Sequence, residues 1–151
     1  MATAAAEVSP DLLREVLTNR LLFLETLIMI EDKSRKIMPL RLNPIQRRFF
    51  PHLEKPGGRH VLLKPAQVGK STIVIAFLFV DTITTPGTTS VIVAHKEFIT
   101  QRLLQRAQFY YDMLPEQFKP VMSRKSANEK FFPELNSTLY IGTARAHVFG
   151  R

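Results

Sequence analysis

The residues with the clearest chemical potential lie between positions 60 and 72, in the stretch HVLLKPAQVGKST. Gly69, Lys70 and Ser71 stand there between an apolar run and a second, longer apolar run. A glycine lets main-chain N–H groups come close to an anion because it has no Cβ. A lysine directly after it supplies a mobile positive charge for the β and γ phosphates of a nucleotide, and the next hydroxyl suits Mg²⁺. Thr72 is placed to reach the α-phosphate. The full phosphate-loop pattern, G-x-x-x-x-G-K-[ST], puts its first glycine where this chain has Lys64, followed by Pro65, which carries no N–H. Taken alone, the stretch fits either a nucleotide-binding loop or an ordinary strand-to-helix turn.

Composition removes several other chemistries. With no cysteine, the chain has no disulfide, thiolate metal site, iron–sulfur ligation or thiol nucleophile. His52, His60, His95 and His147 are too far apart for metal-ligand spacing. An acid that positions magnesium and activates water must end an apolar strand of the sheet, and the 13 acidic residues are expected to supply none. Asp81 follows Phe79-Val80, but that run belongs to a helix, and Glu7, Asp11, Glu54 and Glu134 follow no apolar run.

The net charge of +8 in 151 residues points to a polyanionic partner: nucleic acid, nucleotide phosphates or an acidic surface. Eight Lys and Arg residues lie between Arg35 and Lys64, against Glu54 alone. No base-reading motif accompanies them, so any DNA contact is expected to the backbone and to be salt-dependent. An apolar content of 45% excludes a disordered tail. No segment approaches the ~18 apolar residues of a membrane span. The first ten residues lack the basic start of a signal peptide.

The elements that must position the glycine and lysine follow from periodicity. Ser9, Pro10 and Asp11 open a helix, and Leu13, Val16, Leu17, Leu21, Leu24 and Ile28 carry its apolar stripe over residues 10–30. Residues 31–41 form a connector or short edge strand. Asn43 caps a short helix with Pro44 in its first turn; Ile45, Phe49 and Phe50 face inward, Arg47 and Arg48 outward, and Pro51 limits or kinks it.

Residues 60–63 read as a strand, 64–69 as a loop, and 70–84 as a helix that is apolar on nearly every face. Pro86-Gly87 turns the chain into a strand at 90–94 with the continuous apolar run of a parallel sheet. A helix follows over 97–114, with Ile99, Leu103, Ala107, Tyr110, Tyr111 and Leu114 on one stripe, ended by Pro115. Phe131-Phe132 and residues 137–142 pair as a hairpin around Leu135-Asn136. Strand alternating with helix predicts an α/β fold.

KPAQVGKST resembles the deviant phosphate loop of the large terminase subunits of tailed bacteriophages, the ATPases that package viral DNA. DKSRKIMPLRLNPIQRRFF is similar to the segment upstream of that loop, SVIVAHKE to the strand and turn after it, and TARAHVFGR to the segment before the family's acidic strand. The likeness covers residues 30–151. One mismatch is Ala66, where many relatives have Arg.

The resemblance implies a partial P-loop NTPase fold of the RecA/ASCE type. Its sheet is mostly parallel with flanking helices, and an N-terminal helical segment (1–31) precedes the incomplete ATPase domain (32–151). Implied cofactors are ATP and Mg²⁺. Implied ligands to the nucleotide are Lys64, Gln67, Val68, Gly69, Lys70, Ser71 and Thr72, with Ser71 on the metal and Gln46 reading adenine. Lys70 is the implied catalytic cation, and Arg151 the implied finger toward the ATP of a neighbouring subunit.

The whole protein would hydrolyse ATP to translocate double-stranded DNA in the host bacterial cytoplasm, as a homo-oligomeric ring partnered by a small subunit and a portal. The acidic strand, coupling motif and nuclease domain of that family do not occur in these 151 residues. The chain by itself is therefore expected to bind ATP without efficient turnover and to expose unpaired sheet edges. A fragment of a P-loop helicase-like ATPase and a non-catalytic nucleotide-binding module are the alternatives.

Overall fold

The computed structural model describes residues 9–32, 34–61 and 69–144. Two helices open it, α1 (Pro10–Thr18) and α2 (Arg20–Leu27), where periodicity predicts one. Asn19 makes the break. Its backbone is extended, and its side-chain oxygen accepts the Leu22 N–H at 3.0 Å, so it caps α2 and ends α1 at the same point. The apolar stripe survives the break: Val16, Phe23 and Leu24 are buried, although Leu17 is half exposed.

Strands β1 (Met29–Glu31) and β2 (Ile37–Pro39) form an antiparallel hairpin with Met29 opposite Pro39. The Asp32 carboxylate closes its turn, accepting the N–H groups of Lys36 (2.9 Å) and Ser34 (2.8 Å) and the Ser34 hydroxyl. These bonds hold the Asp32 carboxyl below its ordinary pKa. The hairpin joins residues on either side of the boundary expected at 31/32.

Helix α3 (Pro44–Glu54) starts at a reciprocal cap: the Asn43 side chain accepts the Gln46 N–H, and the Gln46 side chain accepts the Asn43 N–H, both at 2.9 Å. Phe49 and Phe50 are buried as expected. Ile45 is half exposed and Gln46 is buried in its stead, because the cap turns the Gln46 side chain inward. Pro51 lies inside the helix, which continues to Glu54. Glu25 ties this region to α2, accepting Leu42 N–H at 3.1 Å and pairing with Arg47 at 2.6 Å.

Residues 60 and 61 are irregular, and Val61 is 92% exposed, so the strand expected over 60–63 does not begin there. Helix α4 (Lys70–Thr84) is the centre of the core, with Ile73, Ala76, Phe79 and Val80 fully buried. It is followed by β3 (Thr89–Ala94), α5 (Glu97–Met113), β4 (Ser123–Ser126), β5 (Glu129–Phe132) and β6 (Ser137–Thr143). The larger sheet has the order β3-β6-β5-β4.

Only β3 and β6 are parallel; the β5–β6 and β4–β5 pairings are antiparallel. The fold is therefore α/β with a mixed sheet, not a mostly parallel one, among the described residues. The reason is local. One turn of 3₁₀ helix (Pro133–Leu135) and a left-handed Asn136 link β5 to β6, and so short a link permits only antiparallel pairing. The polar SRKS of β4 carries no apolar alternation from which to foresee a strand.

Helices α4 and α5 pack against β3 and β6. Ser90, Leu139 and Ile141 are buried. The alternate residues Val91, Val93 and Tyr140 stand exposed. On α5 the buried residues are Thr100, Leu104, Ala107 and Tyr110, a stripe rotated slightly from the predicted one. The Thr100 hydroxyl meets that of Thr143 at 2.7 Å. Among the described residues, no helix is long and apolar enough to cross a membrane.

Candidate functional site

The N-terminal end of α4 gathers the described part of the expected nucleotide site. Gly69 is the N-cap, with φ 69° and ψ 12°, a left-handed conformation that L side chains seldom adopt. Its side carries no capping oxygen. Its carbonyl receives three donors: Thr72 N–H at 3.1 Å, Ile73 N–H at 3.2 Å and the Gln46 side-chain Nε2 at 2.9 Å.

Gln46 is thus a clamp. Its Oε1 is bonded to Asn43 and its Nε2 to Gly69, so the α3 cap and the α4 N-terminus share one buried amide. A Cβ built on Gly69 would come within 2.7 Å of that Nε2. Sequence and packing both demand glycine here, for separate reasons: backbone sign and side-chain clearance.

A fifteen-residue helix beginning in this way aims its first-turn N–H groups and positive dipole end at one small volume. That arrangement favours an anion. Ser71 is exposed at the second helical position and Thr72 half-buried at the third. The chemistry of a hydroxyl at Ser71 fits a hard oxygen-seeking cation such as Mg²⁺ beside a bound phosphate. Lys64, Gln67, Val68 and Arg151 lie outside the described residues, as does the side chain of Lys70.

The structure adds residues that motif reading did not find. Arg106, two-thirds along α5, donates from Nη1 to the Thr72 hydroxyl at 3.3 Å. A cavity of about 500 Å³ opens beside this contact, between the β1–β2 hairpin, the first turn of α4 and α5. Its walls include Ile30, Glu31, Thr72, Arg106, Phe109 and Tyr110. Tyr110 is 1% exposed, and its hydroxyl has no hydrogen-bond partner among the described residues. Burial pushes that hydroxyl's pKa up to about 12, against the opposing charge of Arg106. No sequence signal links Arg106 to Thr72, which are 34 residues apart; only the packing of α5 on α4 joins them.

Among the described residues, no group of three or more His, Asp or Glu side chains is placed to hold a metal ion. No protein-family model matches the chain, and no curated protein matches it either.

Proposed function

We propose that this chain binds the triphosphate of Mg-ATP at the N-terminal end of α4, as the front part of the ATPase domain of a phage terminase large subunit. The observation that carries the reading is the left-handed Gly69 held by the buried Gln46 amide at the start of a long apolar helix. Lys70 supplies the charge for the β and γ phosphates and Ser71 the oxygen for magnesium. Gln46 acts on the nucleotide by fixing the turn that surrounds it. Bound ATP and Mg²⁺ supply the reacting phosphoryl group. The residues of this chain bind and orient it.

Seven of the eight basic residues between Arg35 and Lys64 are described, and all seven are exposed. One of them, Arg47, is matched by Glu25. The remainder suit the phosphate backbone of duplex DNA, in keeping with a translocating ATPase.

The test is equilibrium binding of Mg-ATP to the wild type and to Lys70→Ala. Loss of one charge-assisted phosphate contact is expected to weaken affinity at least about tenfold, with the unfolding midpoint unchanged. Equal affinities would remove the nucleotide reading.

A further inference from the structure

The cavity between the hairpin, the first turn of α4 and α5 carries charges of both signs on opposed elements. Glu31 and Asp32 line it from the hairpin, and Arg106, beside the neutral Gln105, lines it from α5. Two carboxylates against one guanidinium leave the lining with one net negative charge. No ion pair joins Arg106 to either carboxylate among the described residues. The space of about 500 Å³ lies in the range of small-ligand sites.

Each polar group has capacity for a ligand. Asp32 accepts the N–H groups of Ser34 and Lys36 and the Ser34 hydroxyl, and these bonds keep it ionised. Arg106 gives one N–H of its five to the Thr72 hydroxyl, at 3.3 Å, a long bond to a neutral acceptor. A carboxylate would offer it a charged, two-oxygen partner. Tyr110 is 1% exposed and lines the same cavity, and its hydroxyl has no hydrogen-bond partner among the described residues. Burial keeps that hydroxyl protonated, with its pKa at about 12, so it can donate at neutral pH. A buried hydroxyl of this kind gains from a ligand that supplies an acceptor.

These groups select among ligands. A polyanion meets two carboxylates for one cation. A plain amine gives Arg106 and Tyr110 no acceptor, and a plain carboxylate gives Glu31 and Asp32 no cation. A molecule with a carboxylate at one end, an ammonium group at the other and methylenes between them answers every group. If it also carries one net positive charge, it neutralises the lining.

We infer that this cavity binds a lysine-type ligand: Arg106 and the Tyr110 hydroxyl take its α-carboxylate, Glu31 and Asp32 take its ammonium end, and Phe109 and Ile30 flank its methylenes. The site stands apart from the proposed nucleotide site and does not depend on it.

The experiment is calorimetry of the full chain with L-lysine, with cadaverine, which lacks the carboxylate, and with hexanoate, which lacks the amines. L-lysine is expected to bind with a dissociation constant below about 1 mM, and the other two at least about tenfold more weakly. Arg106→Gln and Glu31→Gln, both at exposed positions, are each expected to weaken L-lysine by about tenfold or more. Arg106→Gln should not weaken cadaverine, and Glu31→Gln should not weaken hexanoate. A merely structural effect would move all three ligands together. Lys70→Ala is expected to leave L-lysine affinity unaltered, so failure of the nucleotide site and failure of this one are told apart.

Nα-acetyl-L-lysine separates two sources of the same chemistry. Affinity within about threefold of L-lysine assigns the C-terminal lysine of a peptide, and a loss of about tenfold assigns the free amino acid. Nuclear Overhauser contacts between L-lysine methylenes and the Phe109 ring of the unmodified chain are expected, and they require no variant to fold. The assignment is overturned by the absence of binding at millimolar L-lysine, by cadaverine binding as tightly as L-lysine, by wild-type affinity in both Arg106→Gln and Glu31→Gln, or by L-lysine contacts confined to other residues.

Discussion

At its C-terminal end α4 is tied to its surroundings by side chains that satisfy one another. Arg20 of α2 donates from Nε and Nη2 to Asp81 at 2.9 and 2.5 Å, and Nη2 also reaches the Thr85 hydroxyl at 3.2 Å. Ser137 of β6 donates its hydroxyl to the Thr82 carbonyl at 2.6 Å, and the Thr82 hydroxyl lies 2.8 Å from that of Ser90. At its N-terminal end the same helix has a glycine cap without a side chain, an exposed Ser71, and an arginine that donates to the Thr72 hydroxyl. One end is held by side chain to side chain and side chain to carbonyl bonds; at the other the described side-chain bonds include those of Gln46 to the Gly69 carbonyl and of Arg106 to the Thr72 hydroxyl. On the proposed function, the contrast separates what holds this protein together from what would meet a ligand.

Substitutions at the two ends should therefore divide into stability effects and binding effects. The largest change is expected for Gly69→Val. A β-branched residue in the left-handed region, with the Gln46 amide 2.7 Å from its Cβ, should cost about 2–3 kcal/mol and abolish ATP binding. Urea unfolding and calorimetry check the two parts, and a fully stable Gly69→Val protein would break the account of the turn.

Ser137→Ala comes next. It leaves the buried Thr82 carbonyl without its hydroxyl donor and should cost about 1–2 kcal/mol, with ATP affinity unaltered. A loss of ATP affinity at this remote position would erase the distinction between the ends. Arg20→Ala should cost less, about 0.5–1 kcal/mol, since the Arg20 and Asp81 side chains are about a third and a quarter exposed. Its cost should shrink in high salt, measured again by urea midpoints.

The smallest change at neutral pH is expected for Tyr110→Phe, which removes an orphaned hydroxyl and should be near neutral in stability. Its signature is in alkali. Because the folded-state pKa of Tyr110 is raised to about 12 above the ordinary 10, the unfolded chain loses that proton first. The stabilising contribution is complete below pH ~10 and is lost as pH rises toward ~12, by about 2–3 kcal/mol in all. Wild type and Tyr110→Phe should diverge only in that window, and parallel alkaline unfolding curves would remove the burial argument.

The parts of this fold that were legible in the sequence are those set by neighbouring residues. Asn43-Pro44 announces the start of α3. The apolar runs after Lys70 and around Val91 identify α4 and β3. Phe131-Phe132, Asn136 and the alternation after it announce the β5–β6 hairpin. Asn19 was hidden because the apolar stripe runs straight through it, and periodicity reports a face without reporting a bend. Gln46 was hidden because a polar residue at the end of a helix ordinarily faces water; here a carbonyl 23 residues away takes its amide. In the candidate site, motif spacing marks Gly69, Lys70, Ser71 and Thr72, and nothing in their own surroundings marks Arg106 and Tyr110.

The amino-acid sequence by itself determined the local choices: where helices start, which runs are apolar enough for the core, and that a glycine precedes the lysine and hydroxyl. Each of those depends on interactions within a few residues, so the information is present in the order of the chain. Only the tertiary structure decided that the sheet is mixed, that Gln46 joins α3 to Gly69, and that α5 brings Arg106 over the first turn of α4. The Gln46–Gly69 and Arg106–Thr72 contacts join residues 23 and 34 positions apart, and they exist because burying the apolar faces of α4 and α5 against β3 and β6 leaves few ways to place everything else.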